Sequence, residues 1–284
     1  MAFGERISRG FRMIKLSWSI LKQDTSLIIL PVISAIAFFI IAVSFLAPIV
    51  ASEEFRTLLN GNAPDTQYYD YAYGFAFYLV TFTVMNTFNA ALIHCVLKRL
   101  KGEAASVGAG LGAALGLFPK IFLWSLLSAT VGLIFNILQQ RAGALGKIVA
   151  GLAGIAWSVA TYFVVPVIVA ERAGPVDGLQ RSVAVMRRTW GESAASNLGL
   201  SVVFMLPIVL IVALGMAAFA TLPGEILVPV AVALGLCVGA LILLSSTLST
   251  ILRGALYAYA VDGTVPDSFD RQALQNAFVP RKKD

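Results

Sequence analysis

Apolar and polar positions alternate along this chain in long blocks. Residues 27–50 (LIILPVISAIAFFIIAVSFLAPIV) hold no charged side chain, and they exceed the roughly 20 apolar residues that a helix needs to cross a bilayer. Comparable blocks lie at about 72–97, 119–139, 148–170, 197–221 and 226–252. Between the blocks the pattern becomes a helical stripe. Past Ala170 and a hinge expected at Gly174, the residues Val176, Leu179, Val183, Met186 and Trp190 recur three or four apart, and Asp177, Gln180, Arg181, Arg187 and Arg188 occupy the other face. An apolar base, a basic rim and a terminal Trp predict a helix lying in a membrane interface. Phe3, Ile7, Phe11, Ile14, Trp18 and Leu21 form a second such stripe within residues 1–24. The pattern predicts an all-α polytopic membrane protein with six transmembrane helices in three hairpins and short amphipathic cytoplasmic helices. One integral membrane domain is expected over residues 1–284, ending in a cytoplasmic tail at 263–284.

Composition strengthens the reading. Apolar residues make up 58% of the chain and charged residues 13%, with a mean hydropathy of +0.84, against about 45–50% and 25% in soluble domains. The apolar blocks leave no room for a separate soluble domain. The net charge of +6 is distributed by side. With the amino terminus inside, 18 of the 21 Lys and Arg residues fall in cytoplasmic segments, and only Arg56, Arg141 and Lys147 fall outside. That bias places both termini in the cytoplasm of a cell that carries the protein in its cytoplasmic membrane. It also makes anionic lipid of the cytoplasmic leaflet the expected partner and removes the case for nucleic acid. Residues 51–71 form the one sizeable outer loop, closed by Tyr68, Tyr69, Tyr71 and Tyr73 as an interfacial aromatic belt. The first apolar run is too long for a signal-peptide core, so the amino terminus is expected to be retained. Cys95 and Cys237 lie in apolar blocks and define neither a disulfide framework nor a zinc site.

The cytoplasmic segments resemble one another. Gly102 precedes Phe118 by sixteen residues, Gly174 precedes Trp190 by sixteen, and Gly263 precedes Phe278 by fifteen. Three units of surface helix, outward span and inward span are one reading; spacing common to hairpin-built membrane proteins is the other. In the first segment Ala104, Gly108, Gly112 and Gly116 repeat every four positions, which predicts a helix packed backbone-close on a neighbour.

The runs TYFVVPVIVAE, Ser182 to MRRTWGE, and ALYAYAVDGTVPDSFD resemble an uncharacterised family of six-helix integral membrane proteins from bacteria and archaea, a domain of unknown function. The resemblance covers nearly the whole chain and implies a prokaryotic cytoplasmic membrane, six spans and no catalytic residues. More remotely, the alternation of spans and short helices is similar to the membrane domain of some glycerophosphodiester phosphodiesterases, whose soluble catalytic domain this chain lacks.

Candidate chemistry is sparse. Thr83, Thr87, Ala90 and His94 form a stripe in the second span, with Asn86 and Asn89 beside it. Asn86, Asn89 and His94 either line a substrate path or bond across to a neighbouring helix, where small residues such as Gly146, Ala150 and Gly154 would allow close approach. His94 has no carboxylate partner in any span and is a poor general base. Gly108, Gly110 and Ala113 match G-x-G-x-x-A without a preceding strand, so packing explains them better than a dinucleotide. Glu171, Glu192 and Asp262 sit at helix ends, where capping and ion pairing account for them. Pro31, Pro166 and Pro207 either kink the first, fourth and fifth spans or mark broken transporter helices. Trp18, Arg181, Arg187, Arg188 and Trp190 are the expected interfacial residues. No catalytic, cofactor or metal site is expected. A non-enzymatic structural or accessory protein is the favoured reading, a small-molecule permease the alternative, and an intramembrane lipid-modifying enzyme the third. Substrate, protein partner and oligomeric state are not legible.

Overall fold

A computed structural model describes residues 17–22, 24–51, 67–141, 143–221 and 223–262. Residues 52–66 of the expected outer loop, the amino-terminal part of the first interfacial stripe and the tail from Gly263 lie outside these residues, while residues 67–71 of that loop are helical. The described residues are all-helical. After a 3-10 turn at Thr25–Ile28 come α1 (Ile29–Ala51), α2 (Gln67–Leu100), α3 (Val107–Gly116), α4 (Phe118–Arg141), α5 (Ala144–Ala160), α6 (Val164–Glu171), α7 (Pro175–Thr221) and α8 (Gly224–Asp262). Five segments are long and apolar enough to cross a membrane: 25–51, 72–100, 118–140, 146–171 and 225–262. Their apolar side chains do not retreat inward, since Phe39 is 68% exposed, Leu152 62% and Leu236 71%. Exposed apolar surface on this scale requires an apolar surround.

The chain forms two compact units, residues 1–31, 95–106 and 184–284, and residues 32–94 and 107–183. In the first unit the buried residues include Leu27, Leu30, Cys95 and Val96 together with Leu248, Ile251, Leu252 and Leu256 of α8. A Cβ on Gly254 would meet Val96 Cγ1 at 3.2 Å, so glycine is what lets α8 pass so close to the end of α2. The last turn of α2 closes with Gly102 at φ 77°. Gly102 N–H donates to the Arg99 carbonyl and Glu103 N–H to the Lys98 carbonyl, each at 3.0 Å, a Schellman cap. Arg99 of that turn reaches Asp24: its Nη2 and Nε donate to Oδ2 at 2.8 and 3.1 Å. Farther along, α7 and α8 meet where Gly215 faces Leu234, on either side of a short turn at Pro223 whose carbonyl accepts from Ile226 and Leu227.

In the second unit Tyr73 Oη donates to the Phe45 carbonyl at 2.6 Å, and the Phe45 ring meets those of Tyr73 and Phe77, joining α1 to α2. Trp124 of α4 stacks on Trp157 of α5 with centroids 6.2 Å apart. The most buried element is α6, in which Val164, Val167 and Ile168 are fully buried.

Three expectations need correction. The surface helix and the fifth span are not separate: α7 runs unbroken for 47 residues, carrying Pro207 inside it. The fourth span is interrupted instead, between α5 and α6. Among the described residues the glycine face of α3 has no close neighbour, since nothing lies within 4 Å of a built Cβ on Gly108, Gly112 or Gly116. Of the three cytoplasmic copies, the first is a separate ten-residue helix, the second merges into α7, and the third lies outside the described residues.

Candidate functional site

Pro166 determines where the fourth span breaks. It has no N–H to donate to the carbonyl of residue 162, and its ring collides with that carbonyl in a continuous helix. The chain answers three residues earlier with a turn at Thr161–Phe163. Local bonds cover part of the gap: Tyr162 N–H reaches the Val159 carbonyl at 3.3 Å and Val164 N–H the Thr161 carbonyl at 3.1 Å. The Phe163 N–H and the Ala160 carbonyl are left over. Ser182 of α7 serves both, its Oγ accepting from Phe163 N at 3.0 Å and donating to Ala160 O at 2.6 Å. Ser182 and Phe163 are both 0% exposed. One hydroxyl thus replaces two backbone partners in a place that water does not reach.

The approach of α7 that makes this possible rests on Gly178, one turn before Ser182. A Cβ there would stand 3.4 Å from Val164 Cγ1 and 3.5 Å from Ile168 Cγ1. The face of α7 that is buried runs through Gly178, Ser182, Val185 and Met186. Val176, by contrast, is 55% exposed. The buried face therefore shares Met186 with the expected Val176–Trp190 stripe, has Leu179 and Val183 half-buried at its edge, and is centred toward Gly178 and Ser182. Hydrophobicity misses the centre of this face because the closest contact uses a glycine and a serine.

A ring of charge surrounds the end of α6. Arg172 takes the left-handed position at φ 52°, a conformation unusual for a non-glycine residue, two residues before the hinge expected at Gly174. The Lys120 ammonium donates to the Arg172 carbonyl, supplying a cation at a helix C-terminus. Arg181 Nε pairs with Glu171 Oε1 at 2.9 Å. Arg181 is therefore committed to a neighbouring helix end and does not belong to a free basic rim, whereas Arg187 is exposed. The side chains of Arg188 and Trp190 lie outside the described residues. Trp18 is 39% exposed, with Lys22 Nζ 6.0 Å from its ring centroid, at the outer limit of a cation–π contact.

The polar stripe of α2 faces α4. Asn86 Nδ2 donates to Ser125 Oγ at 3.1 Å, and Ser125 Oγ donates to the Ile121 carbonyl at 2.9 Å. Thr87 Oγ1 turns back onto the Thr83 carbonyl. Asn86 is 5% exposed and Ser125 0%; Asn89 and His94 are half-buried. The partner of Asn86 is thus the third span, not the Gly146, Ala150 and Gly154 face of the fourth. Gly154 has no neighbour within 4 Å of a built Cβ. Sequence reasoning misses Ser125, Ser128 and the role of Ser182. Their signal is small polar residues three or four apart within apolar runs, Ser125 with Ser128 and Gly178 with Ser182.

Pro31 lies in the first turn of α1 and Pro207 inside α7, so only Pro166 breaks its helix. Gly108, Gly110 and Ala113 all lie within helix α3. Among the described residues no group of three or more His, Cys, Asp or Glu side chains could hold a metal ion. Cys95 is buried, its Sγ donating to the Ser106 carbonyl at 3.5 Å, and Cys237 is exposed; neither forms a disulfide among the described residues.

No curated protein and no solved structure matches the chain. A family model does, over residues 68–266, which takes in the polar stripe of α2, the broken helix and the Ser182 hydroxyl that bridges it. On that match the chain belongs to DUF6159, a family of unknown function.

Proposed function

We propose that this chain is a six-span protein of a prokaryotic cytoplasmic membrane, with both termini inside, and that it acts as a non-enzymatic structural or accessory component of the lipid bilayer. The observation that carries the reading is the use made of its buried polar groups. Ser182, Asn86 and Ser125 are bonded to other helices or to freed backbone, which is how polar side chains hold membrane helices together. The five long apolar segments, together with the shorter run Pro207–Phe219 inside α7, support six crossings. The distribution of Lys and Arg supports the orientation. Pairing of α1 with α2, α4 with α5 and α7 with α8 supports three hairpins. Lipid is the partner this architecture requires, with anionic headgroups at the basic segments.

A permease remains the second reading because of one feature. Secondary transporters build their substrate sites at interrupted helices near the bilayer midplane, and α5–α6 is such a helix. Loss-of-function and stability measurements separate the two. In a structural protein, Asn86→Ala lowers stability slightly and leaves the cellular phenotype intact. In a permease the same change leaves folding alone and abolishes the phenotype. Topology is tested by cysteines placed at Asn62 and Ser268 in a background lacking Cys95 and Cys237. An impermeant thiol reagent applied to intact cells labels the first and spares the second; labelling at Ser268 contradicts the six-span orientation.

A further inference from the structure

Two contacts fix α2 and α4 as one antiparallel seam. Asn86 meets Ser125 at 3.1 Å, and a Cβ on Gly132 would stand 3.9 Å from Tyr78 Oη, so moving back along α2 moves forward along α4. Past the second contact, toward Gly74, the seam opens into a pocket of about 360 Å³ whose lining includes Gly74, Phe75, Tyr78, Gly132, Leu133 and Asn136. Glycine makes the room. Among the described residues nothing lies within 4 Å of a built Cβ on Gly74, and only the Tyr78 side chain comes that near Gly132. The volume is within the range of small-molecule sites, roughly 300–1,000 Å³.

The two polar side chains of this lining both offer donors. Tyr78 stacks its ring on Phe82 with centroids 5.4 Å apart, and its hydroxyl, near Gly132, makes no hydrogen bond among the described residues. Asn136 Oδ1 accepts from Gln140 Nε2 at 2.6 Å, which leaves the Nδ2 protons for another partner. Both residues are open to their surroundings, Tyr78 being 45% exposed and Asn136 exposed as well. Gly132 and Asn136 stand one turn apart on the same face of α4, about 5–6 Å, so the hydroxyl and the amide are neighbours. No charged residue lines the pocket. An ion finds no counter-charge there, and a bare alkyl chain leaves both donors unpaired; an uncharged acceptor oxygen satisfies them. Depth selects the acceptor. The α2 span over 72–100 has 29 residues, about 43 Å at 1.5 Å per residue, which matches a bilayer with its headgroups, about 40–45 Å, around a hydrocarbon core of about 30 Å. Tyr78, about 9 Å from the start of that span, therefore stands near the edge of the core, where acyl chains join their ester carbonyls.

We propose that this pocket holds one ester-linked acyl chain of a membrane glycerolipid, with Tyr78 Oη and Asn136 Nδ2 donating to the ester carbonyl and the first methylenes lying against Phe75 and Leu133. A carbonyl oxygen has two lone pairs and can accept from both donors. The site deepens the lipid partnership assigned above and rests on the α2–α4 hairpin crossing a bilayer. It reads the uncharged ester, at the end of the hairpin away from Lys98 and Arg99, and needs no transport and no chemistry on the lipid.

Photolabelling of the full-length protein tests it, in nanodiscs of a dialkyl ether phosphatidylcholine that offers no ester carbonyl to compete. Two phosphatidylcholine probes carry the same chains, each with a diazirine a few carbons below the glycerol, and differ only in joining those chains by ester or by ether bonds. The ester probe labels segments 74–78 and 129–136 roughly three- to tenfold more than the ether probe, the ratio that about one net hydrogen bond supplies. Tyr78→Phe combined with Asn136→Leu abolishes the preference while ether labelling persists, and Gly132→Leu, which fills the pocket, removes labelling of these segments by both probes. Equal labelling by ester and ether in the unaltered protein overturns the proposal, leaving a groove that any chain enters. A preference that survives the double substitution overturns it too, because the carbonyl is then read elsewhere. Tyr78→Phe alone keeps the ring on Phe82 and guards against a folding defect: thermal unfolding stays unchanged and the preference falls to an intermediate value, whereas an undiminished preference contradicts the role of the hydroxyl. Failure of the topology test above removes the membrane reading; failure here removes only the ligand.

Discussion

The two halves of the broken helix are made of the same kind of residue and have opposite surroundings. In α5, Ile148 is 60% exposed, Val149 65%, Leu152 62% and Ile155 64%. In α6, a few residues on, Val164, Val167 and Ile168 are 0% exposed. Hydropathy cannot tell these halves apart, because lipid and a protein interior are equally apolar. What separates them is the small and polar chemistry that neighbouring elements bring. Gly178 and Ser182 draw α7 onto α6, while among the described residues no comparable pair covers the exposed face of α5. A serine in α5 makes the same point. Ser158 Oγ bonds back to the Gly154 carbonyl of its own helix at 3.0 Å, and Ser182 bonds to a neighbouring chain segment on both sides of a break.

The largest expected effect comes from removing that hydroxyl. Ser182→Ala removes the side-chain acceptor of the buried Phe163 N–H and a donor to the part-buried Ala160 carbonyl, a loss of roughly 1–3 kcal/mol, while Ser158→Ala changes stability by less than about 0.5 kcal/mol. Unfolding of the two variants in the same detergent checks the contrast. Equal effects would show that the break is held by something other than Ser182. Next in size is the aliphatic pair. Ile168→Ala opens a cavity among fully packed neighbours and destabilises by about 2 kcal/mol or more, and Ile155→Ala, on the exposed face, leaves the melting temperature nearly unchanged. Similar shifts for both would mean that α6 is no better packed than α5.

Smaller effects belong to the seam and to the other unit. Asn86→Ala loses one interhelical hydrogen bond, and such bonds average about 0.6 kcal/mol in membranes. A double-mutant cycle with Ser125→Ala should return a coupling of that order; a value near zero removes the bond from the account. The smallest effect is pH-dependent. Burial alone would push the Asp24 carboxyl up, but hydrogen bonds from the Ser26 hydroxyl and Arg99, the Arg99 charge and the Ser26 N–H together hold it below its usual value of 3.8. A depressed carboxylate contributes stability that is complete above about pH 4 and is lost as the pH falls through the lower folded value. Arg99→Gln should therefore flatten the acid limb of the stability profile and leave stability unchanged in its pH slope between about 5 and 8. A steeper acid limb in that variant contradicts the pairing.

Much of the helical plan is legible in the residue pattern alone. Long uncharged runs specify spans because hydrocarbon tolerates no unpaired backbone, and the expected spans at 27–50 and 119–139 start and end within a few residues of α1 and α4. Asn86 is legible as a seam residue, since an amide in an apolar run needs a partner. Its partner is not, because Ser125 looks like any small residue on a span. The centre of the buried face of α7 is missed for a related reason. Apolar periodicity finds the side facing apolar surroundings, and beside a bilayer both protein and lipid qualify. Pro166 announces an interruption, but Pro31 and Pro207 carry the same signal without the same result. Pro31 and Pro166 each stand third in their helix, where the missing N–H has no helical partner to lose; the difference is what precedes them, a four-residue 3-10 turn before Pro31 and the apolar helix α5 before Pro166. Nothing in the structure explains why α7 accommodates Pro207 without a comparable turn.

The central claim is that one side-chain hydroxyl stands in for two backbone partners at the break, and amide hydrogen exchange at Phe163 reads it most directly. In the unaltered protein the Phe163 amide, buried and bonded to Ser182 Oγ, exchanges as slowly as that of Val167, which donates to the Phe163 carbonyl at 2.9 Å within the helix. In Ser182→Ala the account predicts that Phe163 loses its protection by a factor of roughly ten or more while Val167 keeps its own, the separation expected of a local opening. Unchanged protection at Phe163 in a folded Ser182→Ala protein would contradict it.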